Sequence, residues 1–259
     1  MNIKSLIARL IAEAFACTAS LRTRRDGWRV LMFHEIGSPG LNDQAGLFSI
    51  KTEFLKGYLE TAKDRIASCV LPFSATTLGK DGARISITFD DGYRSSLEVA
   101  APLLVELGLP FTVFVSTAFV RNKDRRFMTP DMLRSLAALP GASIGAHGDS
   151  HIALTGCDDK KLHSELLSSR RYLEDIIGAP VQVLTYPYGD VNQRVRDAAQ
   201  AAGYVMGACS QAGLNYSDRD PLLIKRTEIT SHDTVRTFRH KLDGNWDWHS
   251  WRTVDPVRS

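Results

Sequence analysis

The feature that most narrows the folds open to this chain is a repeated alternation, in which short apolar runs are each followed by a stretch with apolar residues at helical spacing. Trp28 to Phe33, Ile85 to Phe89, Phe111 to Ser116, Ala142 to Ala146, Val181 to Thr185, Tyr204 to Ala208 and Leu222 to Lys225 read as strands. Between and after them, Lys51 to Ile66, Ser95 to Leu107, Pro130 to Leu139, Asp159 to Ile177, Val191 to Ala202 and Thr234 to Leu242 read as helices, the fourth closed by Gly178 and Pro180. A helix between two strands returns the chain to the same end of the sheet, so the strands pair in parallel. Seven or so such units predict an α/β protein built as a (β/α) barrel of about seven parallel strands in a single domain. The 259 residues are enough for one such barrel with small additions. The expected division is 1–27 as an amphipathic helix and basic linker, 28–243 as the barrel and 244–259 as a tail.

Charge and cysteine content exclude several function classes. A net charge of +3 without clustered Lys and Arg argues against a nucleic-acid surface. Cys17, Cys69, Cys157 and Cys209 are widely spaced with no C-x-x-C pair, so they read as scattered thiols. At the N-terminus, Ile3, Leu6, Ile7, Leu10, Ile11, Ala14 and Phe15 mark an amphipathic helix that Arg9 and Glu13 interrupt. It is too short for a membrane span. It reads as a helix packed on the barrel, as a peripheral membrane contact aided by Arg22, Arg24 and Arg25, or as a weak export signal. The corresponding localisation is cytoplasmic or at the inner membrane, with export as the third reading.

Polar residues fall where such a barrel would use them. His34, Asp90, Asp91, His147 and Tyr188 all sit at or just past the C-terminal ends of expected strands, the rim on which β/α barrels build their sites. Adjacent Asp90 and Asp91 would face opposite sides of a continuing strand, so both can serve one cleft only if the strand stops, and Gly92 permits the sharp turn. Alone, this pair also fits an acidic turn capping the next helix. His147 and His151 are spaced to bring both imidazoles to one side of a tight turn. With Asp91 they make a three-ligand set with an open position, suited to zinc. The facial triad of non-haem iron oxygenases uses the same residue types, and His147-Gly148-Asp149 spells half of one version, but those enzymes are built on a jelly roll rather than on alternating strands and helices.

Thr88-Phe89-Asp90-Asp91-Gly92, then His147 to His151 with Leu154, then Tyr186-Pro187-Tyr188-Gly189, resemble in order and spacing the motifs of the polysaccharide deacetylase family, the NodB-homology domain of carbohydrate esterase family four. The resemblance covers Val30 to Leu242. It implies a distorted (β/α) barrel and hydrolysis of acetyl groups, usually N-acetyl, from sugars. It further implies Asp90 as general base and Asp91, His147 and His151 as ligands of one divalent metal ion, zinc by ligand type with cobalt or nickel compatible. Tyr186, Pro187 and Tyr188 would contact substrate, the Tyr188 backbone N–H serving the oxyanion.

The departures from the family pattern are specific. Thr185 stands where many members carry an arginine that orients the catalytic Asp, and Arg226 is a candidate replacement, the other reading being a structural or surface arginine. No histidine lies within Leu222 to Thr227, where a late general acid is usual. His34 resembles the histidine of a family branch that acts on exopolysaccharides, and it is the expected general acid ahead of His232 and His163. Gly148 replaces a Ser or Thr that can brace the ligand loop. Trp246, Trp248 and Trp251 would stack on sugars or pack the tail. The expected function is therefore metal-dependent deacetylation of an N-acetylated carbohydrate in exopolysaccharide or cell-envelope metabolism. The alternatives are a catalytically silent carbohydrate-binding relative and a deacylase of a non-sugar amide.

Overall fold

The computed structural model describes residues 26–37, 46–66 and 69–247. The expected N-terminal helix, Arg22 to Arg25, Cys17, Trp248 and Trp251 lie outside the described residues. In chain order the elements are β1 (Gly27–Phe33), β2 (Glu35–Ile36), β3 (Ser49–Ile50), α1 (Thr52–Ile66), α2 (Ala75–Leu78) and β4 (Ala83–Phe89). A π-turn (Ser96–Ala100) running into α3 (Ala101–Glu106) follows, then β5 (Phe111–Val115), α4 (Thr117–Arg121), α5 (Pro130–Ala137) and β6 (Ala142–Ala146). The chain continues through α6 (Asp159–Ile177), β7 (Val183–Thr185), α7 (Gln193–Ala201), β8 (Met206–Ala208), β9 (Thr227–Glu228) and α8 (Val235–Leu242).

Seven strands form one sheet in the order β8-β7-β6-β5-β4-β1-β9. Every pairing in it is parallel. β1 and β5 are buried along their whole length, as their unbroken apolar runs require of parallel strands covered on both faces. The sheet curls into the expected distorted (β/α) barrel. The helices present their apolar stripes to it; on α6 the stripe is Leu162, Leu166 and Leu173, with Glu165 and Ser169 buried alongside.

The expected strand Leu222 to Lys225 is replaced by an irregular segment. Ile224 makes a single parallel bridge to Ala208 on β8, and three residues later Thr227 pairs with Leu31 on β1. The side chain of Asn215 captures both backbone groups of Lys225, accepting from its N–H and donating to its carbonyl, which takes this residue out of any ladder. One segment thus touches both edges of the sheet and places Arg226 between them. The helix expected from Ser95 opens as a π-turn because Pro102 has no N–H with which to continue an α-helical ladder. The short β2–β3 pair, outside the barrel sheet, carries His34 and its neighbours toward the rim.

Candidate active site

The rim residues owe their convergence to unusual backbone. Four described non-glycine residues have positive φ, and three of them are Asp91 (71°), His151 (54°) and Tyr188 (60°). Each such residue is held against a cost of about 1–2 kcal/mol, and such strain concentrates at functional sites. The turn begins where β4 ends: Asp91 and Gly92 (φ 82°) are both left-handed, so Asp90 and Asp91 reach one cleft instead of opposite faces of the sheet. That cleft, 450 Å³ in volume, is lined by His34, Asp90, Asp91, His147, His151, Tyr186, Tyr188 and Arg226 among others.

Asp91, His147 and His151 each direct one donor atom to a common point, all within 4.8 Å of one another. Asp91 Oδ1 lies 3.4 Å from His147 Nε2 and 3.1 Å from His151 Nε2. His147 Nδ1 donates to the Thr185 carbonyl at 3.0 Å, which leaves Nε2 to present a lone pair to the cleft. Asp91 Oδ1 is buried with no hydrogen-bond partner among the described residues. Burial pushes the Asp91 carboxyl up, but the imidazoles of His147 and His151 beside it hold it well below the usual carboxylate value. An ionised carboxylate and lone-pair imidazole nitrogens turned on one another in a buried place make a donor set that fits a divalent cation.

Asp90 is fully enclosed and forked by Arg226, whose Nη1 and Nη2 donate to its two carboxylate oxygens at 2.7 Å each. Burial alone would raise the Asp90 carboxyl; the guanidinium charge and the nearby His147 outweigh it and keep the group below 3.8. Thr185 connects the two halves of the site, its hydroxyl lying 2.6 Å from His147 Nδ1 and 3.4 Å from Asp90 Oδ1. The structure therefore settles the two readings of Arg226: it is the partner of Asp90, reached from the segment that joins the barrel edges.

The loop from His147 to Ser150 is pinned from two sides. The Ser116 hydroxyl donates to the His147 carbonyl at 2.7 Å, and the Ala118 N–H at the start of α4 donates to the Asp149 carbonyl at 2.9 Å. The Asp149 carboxylate accepts from Thr117 and Arg121. From α6, Glu165 accepts the N–H groups of Asp149 at 2.9 Å and Ser150 at 2.8 Å, and Lys161 neutralises it. Gly148 is left-handed (φ 67°), and a Cβ there would lie 3.2 Å from Pro187 Cγ. With no side chain at position 148, the loop is braced by Glu165. Its signal in the sequence was an acidic residue on the buried stripe of an amphipathic helix.

The other expected residues are placed unevenly. His34 lines the cleft with its ring 4.8 Å from that of Phe48, and its Nδ1 is buried without a hydrogen-bond partner among the described residues. Tyr186 is buried at the cleft wall and its hydroxyl donates to the Leu222 carbonyl, tying the wall to the segment that carries Arg226. Tyr188 is 68% exposed, with its ring 4.8 Å from His151. Pro187 is buried behind Gly148 and does not line the cleft. His163 and His232 are exposed on the outer surface away from it. Trp246 lies under Lys241 instead of in the cleft. Sequence reasoning missed Glu35, Phe48, Tyr93, Phe119, Phe127 and Ser210 on the cleft wall, since single residues scattered over separate elements and loops carry no pattern.

A parallel barrel whose strand ends gather two carboxylates and two histidines in one cleft defines a class of rim-site (β/α) barrel proteins. Within that class the sequence profile of the polysaccharide deacetylases matches residues 78–207, half of the chain, and the chain belongs to the polysaccharide deacetylase family. YxkH of Bacillus subtilis (strain 168), classed with the polysaccharide deacetylases, is 25% identical over 206 residues, 78% of this chain and 71% of that protein. Chitin deacetylase 1 of Cryptococcus neoformans is 28% identical over 117 residues, 45% of this chain and 23% of that protein. The Streptococcus pyogenes deacetylase PplD, solved in complex with acetate, shares the fold with a TM-score of 0.73 at 20% identity, covering 85% of this chain and 99% of that one.

Proposed function

We propose that this chain hydrolyses acetamide groups on the sugar residues of a polysaccharide, with one divalent metal ion, zinc by ligand chemistry, held by Asp91, His147 and His151. The observation that carries the reading is the meeting of a three-donor set with a separate, Arg226-held carboxylate whose Oδ2 lies 4.0 Å from His147 Nε2. A divalent cation bound there would polarise the acetamide carbonyl and acidify a water. Asp90, ionised at neutral pH, accepts that water's proton. The Tyr188 N–H, on a left-handed turn beside His151, is the donor assigned to the developing oxyanion. His34, whose buried Nδ1 has no partner among the described residues, gives a proton to the leaving nitrogen as the C–N bond breaks. His34 in place of a late histidine also supports a role in exopolysaccharide or cell-envelope metabolism.

The test is acetate release from N-acetylglucosamine oligomers and O-acetylated sugars by purified protein, as prepared, after EDTA treatment and after metal restoration. Release that stops with EDTA and returns with metal is the expected outcome. A protein that binds one metal per chain and the oligomers, yet releases no acetate, would instead be a silent carbohydrate-binding relative. Release only from non-sugar acetamides would move the substrate class.

A further inference from the structure

A second cavity of 580 Å³ adjoins the cleft, and Phe127 forms part of the wall of both. Ring contacts run unbroken from one to the other. Tyr93 stacks on Phe127 at 4.7 Å, Phe127 on Phe119 at 4.2 Å, and Phe119 lies 5.5 Å from the imidazole of His151. The second cavity differs sharply in charge from the rest of the molecule. Arg94, Arg121, Lys123 and Arg125 line it against the single carboxylate of Asp124, whereas the whole chain has 32 basic and 29 acidic residues. Arg94 is paired with Glu98 and Arg121 with Asp149, but Lys123 and Arg125 are exposed and make no ion pair among the described residues. The floor is apolar, from Val120, Phe127 and Met128.

Cations over an apolar, aromatic-edged floor suit a sugar ring that carries an anionic group, the ring packing on the floor and the anion meeting ammonium and guanidinium donors. The volume lies within the ordinary range for a small-molecule site of roughly 300–1,000 Å³. We propose that this cavity is a subsite for a carboxylate- or phosphate-bearing residue of the same glycan whose N-acetylated sugar enters the neighbouring cleft. The proposal rests on the deacetylase reading for the identity of the cleft, while the charge of the second cavity stands apart from it. It narrows the substrate class from any N-acetylated polysaccharide to an acidic one.

The experiment compares the full chain with a Lys123→Glu/Arg125→Glu variant, and with Lys123→Gln/Arg125→Gln as a milder second variant. Each is titrated by calorimetry with three oligosaccharides of equal length: N-acetylglucosamine alone, N-acetylglucosamine alternating with glucuronate, and N-acetylglucosamine carrying a phosphomonoester. Acetate release is recorded on the same samples. The unaltered chain should bind at least one anionic oligomer roughly tenfold more tightly than the neutral one at low salt, and the advantage should collapse at about 0.5 M salt. Both variants should lose that advantage and bind the neutral oligomer unchanged. Whichever anionic oligomer binds better identifies carboxylate or phosphate. Equal binding of all three by the unaltered chain, or an advantage that survives in both variants, overturns the subsite. Charge-dependent binding without acetate release would keep the subsite and overturn the deacetylase reading; acetate release without charge dependence would do the reverse.

Discussion

The site has two halves held by different means. The ligand half, Asp91 with His147 and His151, is fixed by local backbone: left-handed turns at Asp91, Gly148 and His151, with the loop pinned by α4 on one side and Glu165 on the other. The base half, Asp90, is fixed by one charge 136 residues away in the sequence, on the irregular segment that spans the barrel edges. Local turns set where donor atoms point and leave their ionisation to the neighbouring groups. A buried guanidinium sets ionisation above all, because it offsets the burial that would otherwise neutralise a fully enclosed carboxylate. The two halves should therefore fail separately, one through geometry and metal affinity, the other through pH and stability.

The sharpest division comes from the neighbouring carboxylates. Asp90→Asn should keep the metal and lower kcat by roughly 10²–10⁴, the usual worth of a general base. Asp91→Ala should lower metal affinity by more than about 100-fold, beyond the loss typical of groups that only support a ligand. Metal content and acetate release measured on both variants decide the matter. Metal retained by Asp91→Ala would break the division, since the donor set would then be drawn from other residues.

Arg226→Met should act on the base half alone. Removing one partner of a buried pair leaves the other uncompensated, a loss of about 3–5 kcal/mol, so the thermal midpoint should fall by roughly 10 °C. The sign of the pH effect follows from the native carboxyl, which is held below 3.8. A depressed native value contributes stability that is complete above the unfolded value and is lost as pH falls through the native one. Without Arg226, burial dominates and the native value rises, so the acid limb of kcat/KM should move to higher pH while metal affinity stays near that of the unaltered chain. An acid limb that does not move would remove Arg226 from the control of Asp90.

The same contrast explains what the sequence made legible. The ligand half lies in short contiguous motifs at strand ends, so Asp91, His147 and His151 could be proposed from spacing together with the barrel periodicity, and β6 and α6 were bounded to the residue. Arg226 could only be a candidate because its partner is distant and its own surroundings read as a strand, until Asn215 is seen to take the Lys225 backbone out of register. Glu165 was passed over because an acidic residue in a helix reads as solvated unless its place on the buried stripe is weighed. Cleft walls such as Phe119 and Phe127 come together only through tertiary stacking.

Glu165 offers the smallest and most discriminating effect. Its carboxylate is ionised in the native state, burial pushing its pKa up and the Lys161 and Ser150 bonds bringing it below the ordinary 4.5. Its contribution to stability is therefore complete above about pH 4.5 and is lost as the pH falls through the lower native value. Glu165→Gln keeps an oxygen that can accept the Asp149 and Ser150 N–H groups but makes both bonds neutral and releases Lys161, a loss of roughly 1 kcal/mol. The acid-side slope that Glu165 contributes to the stability profile should disappear with the charge. Metal affinity should fall severalfold to about tenfold as the loop between His147 and His151 loosens, the effect expected when the support of a ligand is weakened. The acid limb of kcat/KM should stay where it is, because Asp90 keeps Arg226. A variant with unchanged metal affinity would show that the α4 contacts alone hold the loop, and one whose acid limb moved would show that the two halves are coupled through Thr185.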